Sequence, residues 1–477
     1  MSKASKVYPL PVMFKNEAKH EDCLAIMDGY EDQLVEMYTK AFGDVTLLRK
    51  HKVVVGGDQL TRIRLQEAKN LRTLSVTPEK RCEDLYPIVC ELWHSKQDFL
   101  EKCYKRFYNS KNTPGTLNFF KTVLHRSNVN GTVKGKFRPH HDFLMLVGEA
   151  LIKEQFMEYL KMKENESKPE IDLLTCTEEK TDDEIKEQLF GLIGDFIEHY
   201  GYCKVDTEHC KPRDLLGDQY YKLCNLDSEI VLVPFTTEKE DDVLFNYSLQ
   251  LCHWYLHLLE MNDTAKEGDL NRVILNCQYS LPFFFSHSAL SKYMVENIDY
   301  ILKCQHFLSP LQRIRVLEGS FTNCRGEIGK NVESDLVQEH SVCHQKQLIK
   351  SLGANKTEQS ISRVTRSADA INEICTNFDN SILLKPKSGR HAKVVTEADQ
   401  TRMYKELRKL RPFHHTPGRA CDGFNKIGHV PLKCNDFPKL NLRIDQVVKR
   451  LTRGFTIELE DEDDVEDNDN LENFPAI

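Results

Sequence analysis

Two carboxylates and a lysine at helical spacing are the first candidates for chemistry. Asp335 and Glu339 are four residues apart, and Lys346 lies seven residues after Glu339, so a helix would carry all three on one face. Like charges at i, i+4 repel by about 0.3 kcal/mol, which a divalent cation would remove. Such a face could hold a metal with the acids and a phosphate with the amine. The alternative is a solvated polar face, and the spacing leaves both open.

A third carboxylate, Asp58, directly follows the apolar run Lys-Val-Val-Val-Gly-Gly at residues 52–57. The run predicts a buried strand, which places Asp58 at the C-terminal edge of a sheet, where open α/β folds bind ligands. The two glycines allow a sharp bend and the close approach of a metal or ligand. The alternative is that Asp58 only caps the helix that follows.

Two further acids could complete a site with Asp58. Glu91 and His94 end a second apolar run at residues 85–93, and they would face Asp58 if the two strands are neighbours. Asp269 precedes a helix whose first turn holds Arg272, where it is either an N-cap or a catalytic acid. His94 is equally interpretable as a hydrogen-bonded structural residue.

Cysteine and histidine usage predicts no structural zinc. The 16 cysteines are spread along the chain without a Cys-x-x-Cys pair, which favours reduced thiols. A loose cluster fits no common zinc module by its spacing; its members are Cys203, His209, Cys210 and Cys224. The common nucleotide-binding, serine-hydrolase and zinc-protease motifs are also missing from the sequence.

Charge is distributed unevenly near the C-terminal end. Residues 385–453 contain 17 Lys or Arg against 6 Asp or Glu, whereas residues 454–477 contain 10 acids and no Lys or Arg. The basic segment is expected to bind polyanions, with Arg408, Lys409 and Arg411 as candidate nucleic-acid contacts. The acidic tail is expected to be disordered.

Composition excludes a disordered chain and a membrane protein. With 40% hydrophobic residues the chain can bury a sizeable core. No apolar run approaches the roughly 20 residues that a membrane span requires, and we expect no secretory signal. The protein is therefore expected in the nucleus or cytoplasm and not outside the cell.

The elements that position these residues are predicted from periodicity. A strand–helix–strand–helix order over residues 52–108 predicts a parallel sheet. Apolar residues at i, i+3, i+4 spacing predict long helices, and one strand is predicted between them at 229–235. The predicted helices cover residues 143–162, 181–200, 241–261 and 290–302, and another starts near 333–335.

Six short motifs resemble an uncharacterised family, a "domain of unknown function" with a Gly-Gly-Asp-Gln-Leu-Thr signature. They lie at residues 56–61, 91–94, 114–117, 267–272, 335–340 and 386–390. The resemblance covers the chain to about residue 430, and it implies an association with transposons and a transposase-like ancestry.

That ancestry implies an α/β fold, with a ribonuclease-H-like mixed sheet flanked by helices and interrupted by a large all-helical insertion. Asp58 would be the first catalytic acid and Glu339 the last. The resemblance implies an Asp where this sequence has Leu92, so that either Glu91 or Asp269 substitutes or the chemistry is lost. The expected parts are residues 1–140 and 309–384 for the two halves of the core, 141–308 for the insertion, 385–453 for the basic segment and 454–477 for the tail.

The expected function is phosphodiester chemistry on nucleic acid, DNA rather than RNA, by a transposase-like or nuclease-like protein that is active or inactivated. Asp58, Glu339 and Asp335 would hold Mg²⁺ or Mn²⁺, and Lys346 would contact phosphate. The alternative is a non-catalytic scaffold on the same fold that binds nucleic acid or protein. No membrane partner is expected, and the oligomeric state, including a homo-oligomer, stays open.

Overall fold

The computed structural model describes residues 3–162, 181–200, 220–226, 229–235, 242–287, 292–382 and 397–424, with isolated positions between 427 and 449. Side chains of residues 220–226 and 229–235 are not described. The structure is 67% helix and 4% strand. Within its described part, no helix is both long and apolar enough to cross a membrane.

A parallel strand pair carries the predicted strand–helix–strand unit. Strand β1 (Val53–Gly57) pairs with strand β2 (Leu85–Cys90), with Gly57 opposite Cys90. Helix α3 (Gln59–Leu71) forms the crossover, and helix α4 (Leu92–Phe107) follows β2. This pairing confirms the parallel arrangement predicted for residues 52–108. The prediction succeeds because both apolar runs are short, contain β-branched residues and are separated by helix formers.

The ribonuclease-H-like mixed sheet is wrong. The described strands form three separate two-stranded sheets instead of one. Strands β3 (Tyr220–Leu226) and β4 (Glu229–Phe235) form a hairpin, and β5 (Phe321–Thr322) pairs with β6 (Val332–Glu333) over two residues each. A larger sheet needs more apolar runs that bury both faces, whereas most apolar residues after residue 92 recur every third or fourth position and so form helices.

Helices make up the remainder of the described fold. Two precede β1, namely α1 (His20–Phe42) and α2 (Thr46–His51). Those between β2 and β5 are α5 (Leu117–Val123), α6 (Phe137–Tyr159), α7 (Asp182–Tyr200), α8 (Val243–Glu267), α9 (Leu270–His287), α10 (Lys292–Leu302), a π-helical turn (Lys303–Phe307) and α11 (Pro310–Gly319). Those after β6 are α12 (Ser334–Ser351), α13 (Glu358–Arg366), α14 (Ala368–Ser381) and α15 (Glu397–Leu410).

The main hydrophobic core surrounds α4. Phe99 of α4 is fully buried, with its ring centroid 4.8 Å from that of Trp254 on α8 and 6.2 Å from that of Phe284 on α9. The same core contains residues of α5, α6 and α15. Helix α4 is therefore held on several sides, which fixes its N-terminus beside the strand ends.

Candidate functional site

The candidate site lies where the parallel strands end. Asp58 follows β1 directly, Glu91 lies between β2 and α4, and His94 is in the first turn of α4. Asp335 and Glu339 come from the first two turns of α12, which packs against α4. Three distant stretches of chain thus bring four carboxylates and one imidazole together, and we name these five residues the acidic cluster.

Asp335 holds the N-terminus of α4. Its carboxylate accepts hydrogen bonds from the backbone N–H of Trp93 at 3.1 Å and of His94 at 3.0 Å. It also lies 3.0 Å from Nδ1 of the His94 ring, and the residue is 7% exposed. A helix N-terminus leaves N–H groups without partners and carries a partial positive charge, so a carboxylate there is stabilising.

His94 lies between two acids. Its Nε2 is 3.6 Å from Oε1 of Glu339, on the ring edge opposite Asp335. Burial alone would lower the pKa of His94, but the hydrogen bond to Asp335 and the charges of Asp335, Asp58 and Glu339 raise it overall. His94 therefore stays protonated to a higher pH than an ordinary histidine, and its protonated form compensates part of the acidic charge.

Burial disfavours the charged form of Glu339 even though His94 lies beside it. Burial raises its pKa above the ordinary value, and the charges of Asp335 and Asp58 raise it further. His94 and Lys346 act in the opposite direction. Both residues lie on α12 and the charge of Lys346 acts on Glu339, which agrees with their predicted placement on one face of a helix.

Asp58 is both a helix cap and a neighbour of the cluster. One carboxylate oxygen, Oδ1, accepts a hydrogen bond of 2.7 Å from the backbone N–H of Thr61, which caps α3. The charge of the same residue acts on His94 and Glu339. The two sequence interpretations of Asp58 therefore do not exclude each other.

Glu91 lies against strand β1. Its side chain lies over Gly56, where a Cβ would come within 1.6 Å of its Oε1, so only glycine leaves room for it. Its Oε2 is buried and has no hydrogen-bond partner among the described residues. Burial, and then the charge of Asp335, raise the pKa of Glu91 well above the ordinary value. Of the two acids expected to substitute at Leu92, Glu91 is the one that the structure brings to the cluster.

Asp269 belongs to a different arrangement. Its carboxylate accepts hydrogen bonds from the backbone N–H of Asn271 and Arg272, as an N-cap does, and its Oδ2 lies 3.1 Å from Nε of Arg272. The Arg272 guanidinium also pairs with three other acids; they are Glu260, Asp263 and Glu267. The capping interpretation accounts for these contacts of Asp269.

The three basic residues chosen as nucleic-acid contacts have acidic partners. Arg408 is 9% exposed and pairs with the buried Glu154 of α6 at 2.8 Å, so the structure does not present it to a ligand. Arg411 pairs with Glu158 at 2.6 Å, and Lys409 pairs with Glu406 at 3.1 Å. About half of the basic segment lies outside the described residues, as do the acidic tail and the region of Cys203, His209 and Cys210.

The cluster contains side chains of the types that bind metal ions, but the described residues do not form a complete set of protein ligands. Among the residues that the structure describes, no three His, Cys, Asp or Glu side chains are arranged to hold one ion. Magnesium commonly binds through one or two carboxylates, with water and substrate phosphates as its other ligands. Asp335 already accepts hydrogen bonds from the N-terminus of α4. Asp58 and Glu339 are therefore the two carboxylates of the cluster best suited to such a metal site.

Two features of the site were not found from sequence. The capping of α4 by Asp335 links residues 241 positions apart, for which local spacing holds no signal. The contact between Gly56 and Glu91 did have a signal, since a glycine within a strand often marks a close approach, and Gly56 is the next-to-last residue of β1. Parallel pairing of β1 and β2 would then have brought Glu91 to Gly56.

Fold and site together define a mostly helical protein with an acidic cluster at the end of one parallel strand pair. Residues 1–391 match DUF6589, a family of unknown function, and the chain belongs to this family. The resemblance to a domain of unknown function is thereby confirmed. Neither a curated protein nor a solved structure shows significant similarity to the chain.

Proposed function

We propose that this protein carries out divalent-metal-dependent phosphodiester chemistry on nucleic acid, with the acidic cluster as its reaction centre. The observation that carries the proposal is the convergence of four carboxylates from three distant stretches of chain around one imidazole. Bringing so many acids together is unfavourable unless a cation compensates them. DNA as the partner, a nuclear or cytoplasmic location and the transposase-like ancestry belong to this proposal.

Asp58 and Glu339 would hold the metal. The second oxygen of Asp58 remains for a ligand, since only Oδ1 caps α3. Glu339 has a raised pKa because it is buried near other acids, and a bound cation would stabilise its charged form. Mg²⁺ or Mn²⁺ at such a site polarises phosphate oxygens and lowers the pKa of a bound water.

His94 would supply a proton. Asp335 fixes the ring through Nδ1, which leaves Nε2 on the side of Glu339. Because its pKa is raised, His94 is protonated over more of the neutral range and could protonate a leaving oxygen. Lys346, whose charge acts on Glu339 from the same helix face, would contact a neighbouring phosphate.

The first prediction concerns Mg²⁺ and Mn²⁺ binding, measured by titration calorimetry. The intact chain is expected to bind, and Asp58→Asn and Glu339→Gln are each expected to weaken binding about tenfold or more, because each removes one charged ligand. Asn caps a helix about as well as Asp does, so Asp58→Asn changes the charge while the cap of α3 is retained. The matched control is Glu267→Gln, which removes an acid from the cluster around Arg272 and should leave binding unchanged.

Binding that is lost in both cluster variants and kept in the control would justify an assay of metal-dependent DNA nicking and strand transfer. Absence of binding in the intact chain, or equal losses in all three variants, would contradict the proposal. The non-catalytic scaffold is then favoured. One observation already supports that second candidate, namely that Asp58 and Asp335 both serve as caps.

A further inference from the structure

A cavity lies beside the acidic cluster and shares two helices with it. Its volume is about 570 Å³, within the range of small-molecule sites. Trp93 and Leu336 line it, and each is next in sequence to a cluster residue, His94 or Asp335. Helices α6 and α8 and strand β6 provide further walls. None of the cluster's five residues lines it, so it is a separate compartment with a shared wall.

One end of the cavity is aromatic. Phe137 lies 5.5 Å, between ring centroids, from Trp93 in an edge-to-face arrangement and 5.5 Å from His141 in a stacked one. Met145 and Leu259 extend this surface with apolar side chains. Three rings around an open volume, with apolar neighbours, suit a flat aromatic ligand.

The rim of the cavity is basic. Of its charged residues, Lys96 pairs with Glu333, and Arg138 lies 3.6 Å from Asp142. The third acid of the lining, Asp263, pairs with Arg272 at 2.9 Å. Lys136 and Lys266 are exposed, and their ammonium groups form no ion pair with any described residue. Two uncompensated cations at the mouth of an aromatic cavity favour a ligand that combines a ring with an anionic group.

One polar atom on the inner wall has no partner. Nδ1 of His340 is buried and makes no hydrogen bond within the described residues. His340 lies one position after Glu339 on α12, so it faces the cavity while Glu339 faces His94. A buried polar atom without a partner costs about 1–3 kcal/mol, which a hydrogen bond from a ligand edge would remove.

We propose that this cavity binds one nucleotide of the substrate, with its base among Trp93, Phe137 and His141 and its phosphate at Lys136 and Lys266. The inference rests on the proposed function, because it takes the substrate of the neighbouring cluster to be nucleic acid. A nucleotide held here would be unpaired, since its base would lie inside the cavity and away from a complementary strand. The bound nucleotide would then fix which phosphodiester of the strand lies beside the cluster.

The test uses the intact chain in EDTA with 2′-deoxyadenosine 5′-monophosphate as the probe. The chain has two tryptophans, and Trp93 lines the cavity whereas Trp254 lies in the core. We expect saturable quenching of tryptophan fluorescence, abolished in Trp93→Phe, and matching binding in equilibrium dialysis. Deoxyribose 5-phosphate, which lacks the ring, and deoxyadenosine, which lacks the phosphate, should each bind at least about tenfold more weakly.

Variants separate the base contact from the phosphate contact. Phe137→Ala should weaken binding about tenfold or more through lost stacking. The double variant Lys136→Gln and Lys266→Gln should do so through lost charge, and its binding should depend less on salt. The control Lys105→Gln, an exposed lysine of α4 that pairs with Glu101, should bind as the intact chain does.

No saturable binding of the probe up to about 10 mM would overturn the cavity proposal. Binding unchanged in Phe137→Ala and in the double lysine variant would overturn it as well. Because EDTA removes divalent metal, either result leaves the calorimetric test of the acidic cluster unaffected. Conversely, nucleotide binding in a chain that binds no metal would overturn the proposed chemistry while supporting the site.

Discussion

At the scale of single residues, the carboxylates of the acidic cluster have unequal roles, since Asp335 caps α4 whereas Glu339 lies beside His94. The i, i+4 spacing placed Asp335 and Glu339 on one helical face, and the apolar run before Asp58 placed it at a strand end. Both placements are found in the structure. What a residue contacts across the fold depends on the neighbouring element, so local spacing could not predict that Asp335 caps α4.

Glu31 provides a pH-dependent prediction remote from the site. It is a buried residue of α1, and burial, followed by the charge of Asp84, raises its pKa from 4.5 to about 7. The nearby Lys69 acts in the opposite direction, and Glu79 acts in the same direction as Asp84. A carboxyl whose folded pKa exceeds its unfolded value favours folding only while neutral, so its contribution is lost as pH rises from about 4.5 to about 7.

We therefore expect Glu31→Gln to be more stable than the intact chain at pH 8, by about 1–3 kcal/mol, and similar to it at pH 4.5. The measurement is the free energy of unfolding from urea titrations at the two pH values. Glu187→Gln, an exposed glutamate of α7, should show no such pH-dependent difference. An equal effect of Glu31→Gln at both values would mean that titration of Glu31 is not coupled to folding.

At the scale of elements, local patterns identified most helices and the strand pair, because the period of apolar residues is a local property. The helices predicted at 143–162, 181–200, 241–261 and 290–302 correspond to α6, α7, α8 and α10. The single large sheet was implied by the resemblance and depends on contacts between distant segments, about which local patterns hold no information. The prediction of one large sheet was wrong, because the other strands are short or pair only with each other and most of the chain is helical.

The connection between α12 and α4 gives a prediction at this scale. Asp335→Ala removes an acceptor from two backbone N–H groups at the start of α4 and is expected to lower the free energy of unfolding by about 1–2 kcal/mol. Asp335→Asn keeps one acceptor oxygen and should lose less. Urea titration measures both losses. Equal losses for Asn and Ala, which both remove the charge, would show that charge compensation and not capping determines the role of Asp335.

At the scale of the whole molecule, the C-terminal part of the described chain is structural. The excess of Lys and Arg in residues 385–453 predicts that this segment binds polyanions. A count of charges does not show which of them are paired within the fold. In the structure, Arg408 pairs with Glu154, and Arg419 pairs with the fully buried side chain of Asp242 at the start of α8. Six buried apolar residues after position 400 complete the main core; they are Met403, Leu407, Phe413, Cys421, Phe424 and Ile427.

The fold therefore continues past the part that matches the family, which ends at residue 391. A chain ending there would expose the core beneath α15 and leave Glu154 and Asp242 without their arginines. Each large apolar side chain contributes about 1.5–3 kcal/mol on burial, so the sum is comparable to a typical domain stability of about 5–15 kcal/mol. We expect chain 1–391 to be insoluble or to unfold without cooperativity in calorimetry. A chain ending at residue 453 keeps all of these contacts and should unfold as the full chain does. Cooperative unfolding of chain 1–391 at an unchanged Tm would instead mean that α15 and the following loop only rest on a core that is complete without them.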